Sequence, residues 1–384
     1  MTAPAADLIA LYDDLDAQMV RREEYYPRHE EPEWSRLQET LVTITARLWT
    51  AARAEPARRP PPQLESLADR PIFVVGYYKS GTTLLLNLLD GHPDLLALPG
   101  ESRHFASVAD LGTDREQAIE RLHALSTRNA ITPYGLPPRW LLGRPTAAND
   151  PYDAFGRTLV AFARARAGRD LLAATPQALA AVRGSSPTYW IEKTPTHELV
   201  VERILAAYPE ARFVHIVRDP NGTIDSITRY GSERPIVDVL SGAAELSRSF
   251  TAALEWQRRL GDRYTVVRYE ALVTDTEATM RRVADALGIS SDDSLVLPTT
   301  FGMPATANAG RSERRLSGAV HRLSLDGCIG LRRRDRLVVD ALVGRQAQRL
   351  GYAAGGSRAV ALAARGALFT RYRIVPRLRE KRRR

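Results

Sequence analysis

Residues 76–83, Gly76-Tyr77-Tyr78-Lys79-Ser80-Gly81-Thr82-Thr83, have the types and spacing to hold an anion. They lie between an apolar run, Ile72 to Val75, and the apolar stretch TTLLLNLLD. A strand feeding a helix through such a loop presents unpaired N–H groups and the positive end of the helix dipole to a negative charge. Gly81 lets the backbone approach a phosphate, and Thr82 and Thr83 add hydroxyl donors. The Gly76…Gly81 spacing matches a nucleoside-triphosphate loop, but Thr82 stands where that loop has its lysine, and the lysine is inside the loop at position 79. The arrangement that reaches terminal phosphates and holds magnesium is therefore not met. The loop suits a single phosphate with a reactive group directed at Lys79. No His, Cys, Asp and Glu cluster at ligand spacing accompanies it, so no metal is expected.

The elements that must position this loop follow along the chain. Residues 5–20 and 34–55 read as helices, the second with Leu37, Leu41, Ile44, Leu48 and Trp49 at helical spacing. Pro56 to Pro62 is a stiff linker. Four short apolar runs read as buried strands: 72–76, 188–192, 212–217 and 264–268. Helices are expected at 196–208, from Asp219-Pro220 onward, at 237–260, 275–287 and 332–350. Asp219 is a good N-cap, and Pro220 fits a first turn whose N–H is unpaired in any case. His92 is expected to hold the turn before Pro93. The alternation predicts an α/β fold: a P-loop-like parallel β-sheet flanked by helices. Three parts are expected: a helical N-terminal segment and linker over 1–62, an α/β domain over 63–355 with a mostly helical insertion at 113–183, and a basic tail over 356–384.

The chain has 384 residues and a formal net charge of +9, unevenly spread. Residues 1–40 carry −6, residues 41–310 carry 0, and residues 311–384 carry +15. The basic surplus is thus a property of the C-terminal part, which reads first as a solvated tail, then as a contact for an anionic membrane surface, and least as a nucleic-acid binder. The single cysteine, Cys328, excludes an intrachain disulfide. No signal peptide or apolar span is visible, so a cytoplasmic location is expected.

The stretch IFVVGYYKSGTTLLLNLLDGHPDLLALPGES resembles the sulfotransferases that use 3′-phosphoadenosine 5′-phosphosulfate (PAPS). Within them it is similar to the branch of the tyrosylprotein sulfotransferases and many bacterial members. The shared elements are a hydrophobic strand, a basic residue before Ser-Gly-Thr-Thr, a Leu-rich helix, His-Pro, and a Glu about two dozen residues on. A second signature is Arg218-Asp219-Pro220 after a strand, with Ser226 eight residues beyond Arg218. An Arg fork gives bidentate, charge-assisted hydrogen bonds to phosphate, and a Ser two turns into the next helix can reach the same oxygens. The resemblance covers roughly residues 70–290.

The resemblance implies site residues and roles. Lys79, Ser80, Gly81, Thr82 and Thr83 would hold the 5′-phosphate, and Arg218 and Ser226 the 3′-phosphate. Lys79 would also stabilise the leaving oxygen of the product PAP, and Lys193 would contact the transferring sulfuryl group. Glu101 aligns with the branch's general base. His104 is a competing base, since other sulfotransferases use His. Tyr269 would lie near the adenine or serve as an edge-strand core aromatic. The nucleotide lid falls on Arg311, Arg314 or Arg315. The acceptor would be a hydroxyl on a small molecule, glycan or lipid, with 113–183, including Trp140, Tyr134, Tyr152 and Phe155, as its cover. The alternatives are a P-loop small-molecule kinase, which lacks its lysine after Gly81, and a basic membrane-surface or nucleic-acid binder.

Overall fold

The computed structural model describes residues 6–24, 32–105, 114–133, 139–167, 170–229, 237–305, 318–320, 330–353 and 358–369. The lid candidates Arg311, Arg314 and Arg315, together with Cys328, Tyr134 and the tail beyond residue 369, lie outside the described residues.

Two helices open the described chain, α1 (Ala6–Glu24) and α2 (Pro32–Ala52). Strand β1 (Pro71–Val75) is followed by helix α3 (Thr82–Leu89) and strand β2 (Leu95–Ala97). Helices α4 (Arg115–Ile131), α5 (Pro151–Ala165) and α6 (Ala174–Arg183) precede strand β3 (Tyr189–Lys193). Then come α7 (Val201–Ala207), β4 (Arg212–Val217), α8 (Pro220–Thr228) and α9 (Val239–Leu260). Strand β5 (Tyr264–Arg268) leads to α10 (Thr276–Leu287), and α11 (Arg333–Arg349) and α12 (Arg358–Phe369) follow.

The five strands form one sheet in the order β2-β3-β1-β4-β5, and every neighbouring pair is parallel. Both faces are covered, which is why the strands read as continuous apolar runs rather than alternating ones. Side chains still alternate between faces. Phe73, Val75, Trp190 and Phe213 join the core beneath α1, α2 and α4 to α6. Ile72, Val74, Ile191, Val214 and Ile216 face the opposite core, with α3 and α10. The N-terminal helices share that first core with the 113–183 region. Trp140, Tyr152 and Phe155 are buried in it, so these aromatics build the packing and are not displayed to an acceptor.

Three local readings change. Strand β2 was not expected, because three residues between turns leave no periodicity to read. The expected helix at 196–208 is broken: Thr196 adopts φ 72°, His197–Leu199 is a 3₁₀ turn, and α7 starts at Val201. Residues 358–369 of the expected tail form α12, which packs on α11. No helix among the described residues is long and apolar enough to cross a membrane.

This topology decides where a ligand can bind. The connections from β1 and β4 leave toward opposite edges of the sheet, which opens a crevice beyond the carboxyl ends of the strands. The Lys79 loop follows β1, Glu101 follows β2, Lys193 ends β3, Arg218 follows β4, and Tyr269 follows β5. Five strands thus deliver their residues to one edge.

Candidate active site

The loop after β1 is shaped by two close approaches. A Cβ on Gly76 would stand 2.5 Å from the Ile216 carbonyl oxygen of β4. A Cβ on Gly81, at φ 102°, would stand 2.4 Å from the Tyr269 ring. Between them Lys79 is held at φ 63°, a left-handed conformation uncommon for a residue with a side chain. Arg218 Nη1 donates to the Lys79 carbonyl at 3.0 Å, and its guanidinium lies 4.8 Å from the Tyr269 ring centre. Tyr269 is buried and packs against Gly81, so it serves as a wall of the loop and a platform for Arg218.

The loop backbone is also anchored from below. Gly76 N donates to Glu198 Oε2 at 3.1 Å, and Thr196 N donates to the Gly76 carbonyl at 3.1 Å. The Ser80 hydroxyl is buried with no hydrogen-bond partner among the described residues. An unpaired buried hydroxyl is costly, and here it sits in the loop whose composition suits a phosphate. Thr82 is buried and Thr83 half-buried at the first turn of α3.

Lys79, Lys193 and Arg218 bring three cations together. Burial, followed by the charges of Lys193 and Arg218, pulls the Lys79 ammonium down to about 8, with Glu101 opposing. A cationic cluster that raises its own electrostatic cost in this way suits an anionic ligand. Behind Arg218, Asp219 caps α8 by accepting from Gly222 N at 2.6 Å, and Asp219 N donates to Glu270 Oε1 at 2.8 Å. Tyr352, just past α11, donates its hydroxyl to Glu270 Oε2 at 2.8 Å. Ser226 lies half-buried two turns into α8.

Glu101 is brought to Lys193. Lys193 Nζ donates to Glu101 Oε1 at 2.9 Å, and Arg103 Nη2 stands 3.3 Å from Glu101 Oε2. The Lys193 side chain is 1% exposed and that of Glu101 15%. Asn129 Nδ2 of α4 donates to the Glu101 carbonyl at 3.3 Å, so the 113–183 region does back this loop. His104 goes elsewhere. Its Nε2 lies 3.2 Å from Asp170 Oδ1, its ring packs edge-on against Phe105 at 5.1 Å, and its side chain is 3% exposed. Burial pushes the Asp170 carboxyl up, but hydrogen bonds from His104 and Tyr208 outweigh it and hold the carboxyl below its ordinary value. His104 is therefore tied into the core beneath the loop. His92, as expected, holds its turn, accepting from Asp94 N at 3.2 Å and meeting the Ser290 carbonyl at 3.1 Å.

The sequence reading missed Glu192, Thr194, Ser102, His197 and Glu198. Glu192, next to Lys193, is fully buried. Burial alone would raise its carboxyl, but His197, Ser102 and Thr194 hold it down at about 2. The available signal was a carboxylate inside a run read as a buried strand, since such a group is almost never fully buried unless paired. Among the described residues no group of three or more His, Cys, Asp or Glu side chains is arranged to hold a metal.

A family model described as the sulfotransferase family matches residues 71–293, the span that holds all five strands and their carboxyl-end loops. The chain belongs to the sulfotransferase family. It is 27% identical over 254 residues to the omega-hydroxy-beta-dihydromenaquinone-9 sulfotransferases Stf3 of Mycobacterium bovis and Mycobacterium tuberculosis, covering 58% of this chain. It spans 64% of the length of those relatives. Among solved structures, the sulfotransferase domain from the curacin biosynthetic pathway aligns at 19% identity and TM-score 0.47, over 74% of this chain and 98% of that domain. Sulfotransferase STF9 from Mycobacterium avium aligns at 16% identity and TM-score 0.38, over 74% of this chain and 85% of that one.

Proposed function

We propose that this protein transfers the sulfuryl group of PAPS to a hydroxyl of a small-molecule, glycan or lipid acceptor. The observation that carries this reading is the convergence of Lys79, Lys193 and Arg218 with the Glu101 carboxylate at one sheet edge, the 2.9 Å Lys193–Glu101 pair at its centre. Three cations suit a donor with a phosphosulfate and a second phosphate, and the carboxylate supplies a proton acceptor beside them. The buried, unpartnered Ser80 hydroxyl and the close Gly81 turn fit an oxyanion of that donor.

Each residue then has a task. The loop at 79–83 holds the 5′-phosphate through backbone N–H groups, hydroxyls and the start of α3. Arg218 and Ser226 hold the 3′-phosphate, with Tyr269 fixing the Arg218 plane. The acceptor oxygen attacks sulfur in line, the S–O bond to the 5′-phosphate breaks, and PAP leaves with the bridging oxygen. Glu101 takes the acceptor proton, an effect worth on the order of 10²–10⁴ in rate. Lys79 balances the charge that develops on the bridging oxygen, and Lys193 follows the sulfuryl oxygens. The role of Glu101 also follows the pattern of the tyrosylprotein-sulfotransferase-like branch. The 27%-identical relatives are named for omega-hydroxy-beta-dihydromenaquinone-9, which supports a hydroxyl as the acceptor group and makes lipids worth testing as acceptors.

Isothermal titration with PAP and with ATP tests the donor. Binding of PAP at micromolar or tighter concentration, with ATP much weaker, is expected. Preference for ATP would support the kinase alternative instead.

A further inference from the structure

The loop that carries Glu101 is wired to β3 through one buried carboxylate. Glu192 Oε1 accepts from Ser102 N at 3.2 Å, from Ser102 Oγ at 2.6 Å and from Thr194 Oγ1 at 2.6 Å. The two hydroxyls pass the connection on. Thr194 Oγ1 accepts from Arg103 N at 3.1 Å, and Ser102 Oγ accepts from His104 N at 3.2 Å. The backbone N–H groups of three consecutive residues, 102 to 104, therefore converge on a single oxygen, directly or through one hydroxyl. His197 Nδ1 fixes the other oxygen, Oε2, at 3.1 Å.

The neighbouring residue completes the arrangement. Lys193 follows Glu192 on β3, so the two side chains leave opposite faces of the strand. One anchors the loop backbone, and the other meets the loop's carboxylate at 2.9 Å. Arg103 keeps φ 48° within the anchored segment, a left-handed conformation that surrounding bonds must hold in place.

We propose that Glu192 is a positioning residue for the transfer step. Its carboxylate fixes residues 101–104 so that Glu101 stands against Lys193 at the distance the reaction needs. This rests on the reading of Glu101 as base. Charge-assisted hydrogen bonds are roughly twice as strong as neutral ones, and the buried setting strengthens them further. A displacement of about 1 Å in a reacting group can cost about 10²-fold in rate. The nucleotide phosphates are held by other strands, through Lys79 and Arg218, and do not depend on this anchor.

The test uses the full chain with two variants. Glu192→Ala removes the anchor. Ser102→Ala/Thr194→Val removes the two hydroxyls that relay Arg103 N and His104 N to it, keeps the direct Ser102 N bond, and leaves Glu192 and His197 in place in case the first variant fails to fold. Three quantities are read: kcat with PAPS, the Kd for PAP, and amide hydrogen exchange at 102–104. A kcat loss of about tenfold or more, a PAP Kd within about twofold of wild type, and faster exchange confined to 102–104 are expected. An unchanged kcat in the folded double variant would overturn the proposal, as would a PAP Kd that weakens in step with kcat. Glu101→Ala, assayed alongside, separates the two readings. A normal rate in that variant removes Glu101 as base, whereas the exchange rates report the anchoring whatever Glu101 does.

Discussion

On the proposed function, Lys79 ties the electrostatics of the site to nucleotide binding in a way that pH can expose. Its ammonium titrates at about 8 in the free protein, because burial comes first among the causes and Lys193 and Arg218 add to it. An ordinary lysine titrates near 10.4, and each unit is about 1.4 kcal/mol, so the charged form is held at a cost on the order of 3 kcal/mol. Below pH 8 Lys79 is protonated in both free and bound protein, and PAP binding needs no proton. Above pH 8 the free protein carries a neutral Lys79. The phosphates of PAP draw the group back toward its ordinary value, so binding must take up a proton. PAP phosphates complete their own ionisation near pH 6, outside that window.

Titration calorimetry with PAP at pH 7, 8, 9 and 10, each in two buffers of different ionisation enthalpy, reads this directly. Affinity should be flat to about pH 8 and then fall by up to about tenfold per pH unit, with up to one proton taken up. Lys79→Met should lose the slope and bind PAP about 10- to 150-fold more weakly at pH 7, the worth of a hydrogen bond to a charged group. The same substitution should stabilise the unliganded protein. A lysine whose folded value is lowered costs stability in full below pH 8, and the cost fades as pH rises toward its unfolded value. The gain in Lys79→Met should therefore be greatest at neutral pH and vanish above about pH 10. The reasoning is refuted if Lys79→Met keeps the wild-type pH slope, or if the wild type takes up no proton between pH 8 and 9.

Three further outcomes follow from the geometry. Arg218→Ala should weaken PAP binding about 10- to 150-fold and leave the fold intact, and an unchanged Kd by calorimetry would remove it from the phosphate site. Gly81→Ala places a methyl group 2.4 Å from the Tyr269 ring at φ 102°, so a lower Tm and PAP affinity at least about tenfold weaker are expected; wild-type binding would contradict the loop's shape. His104→Gln should lower Tm through loss of its contact with Asp170 and keep kcat within about threefold of wild type, well short of the loss expected on removing a general base. A loss of about a hundredfold or more at unchanged PAP affinity would return the base role to His104.

Much of the candidate site was legible because the features that suit a phosphate are local in sequence. The Gly, Lys, Gly and Thr spacing between two apolar runs locates the loop after β1, and Asp219-Pro220 announces a capped helix directly after Arg218. These features depend on neighbours in sequence; that Arg218 meets the Lys79 loop, 139 residues away, was implied by the family resemblance and is seen in its bond to the Lys79 carbonyl. Glu192 shows where local reading stops. Its partners Ser102 and Thr194 come from two loops about 90 residues apart in sequence, and a strand buried on both faces hides which side chain serves which face. β2 was too short to show a period. Lys193, read at the end of its strand, is the last residue of β3, opposite Val74 on β1. His104 and Glu101, three residues apart, could be separated only by their partners: Asp170 in the core for one, Lys193 at the sheet edge for the other.

Transfer of label from PAPS carrying radioactive sulfur to a panel of hydroxylated small molecules, glycans and lipids tests the central claim most directly, with wild type, Lys79→Ala and Glu101→Ala side by side. The label should reach an acceptor hydroxyl with the wild type, and each variant should transfer it at least about 10²-fold more slowly. Transfer at the wild-type rate by both variants, or no transfer from PAPS beside phosphoryl transfer from ATP, would contradict the account.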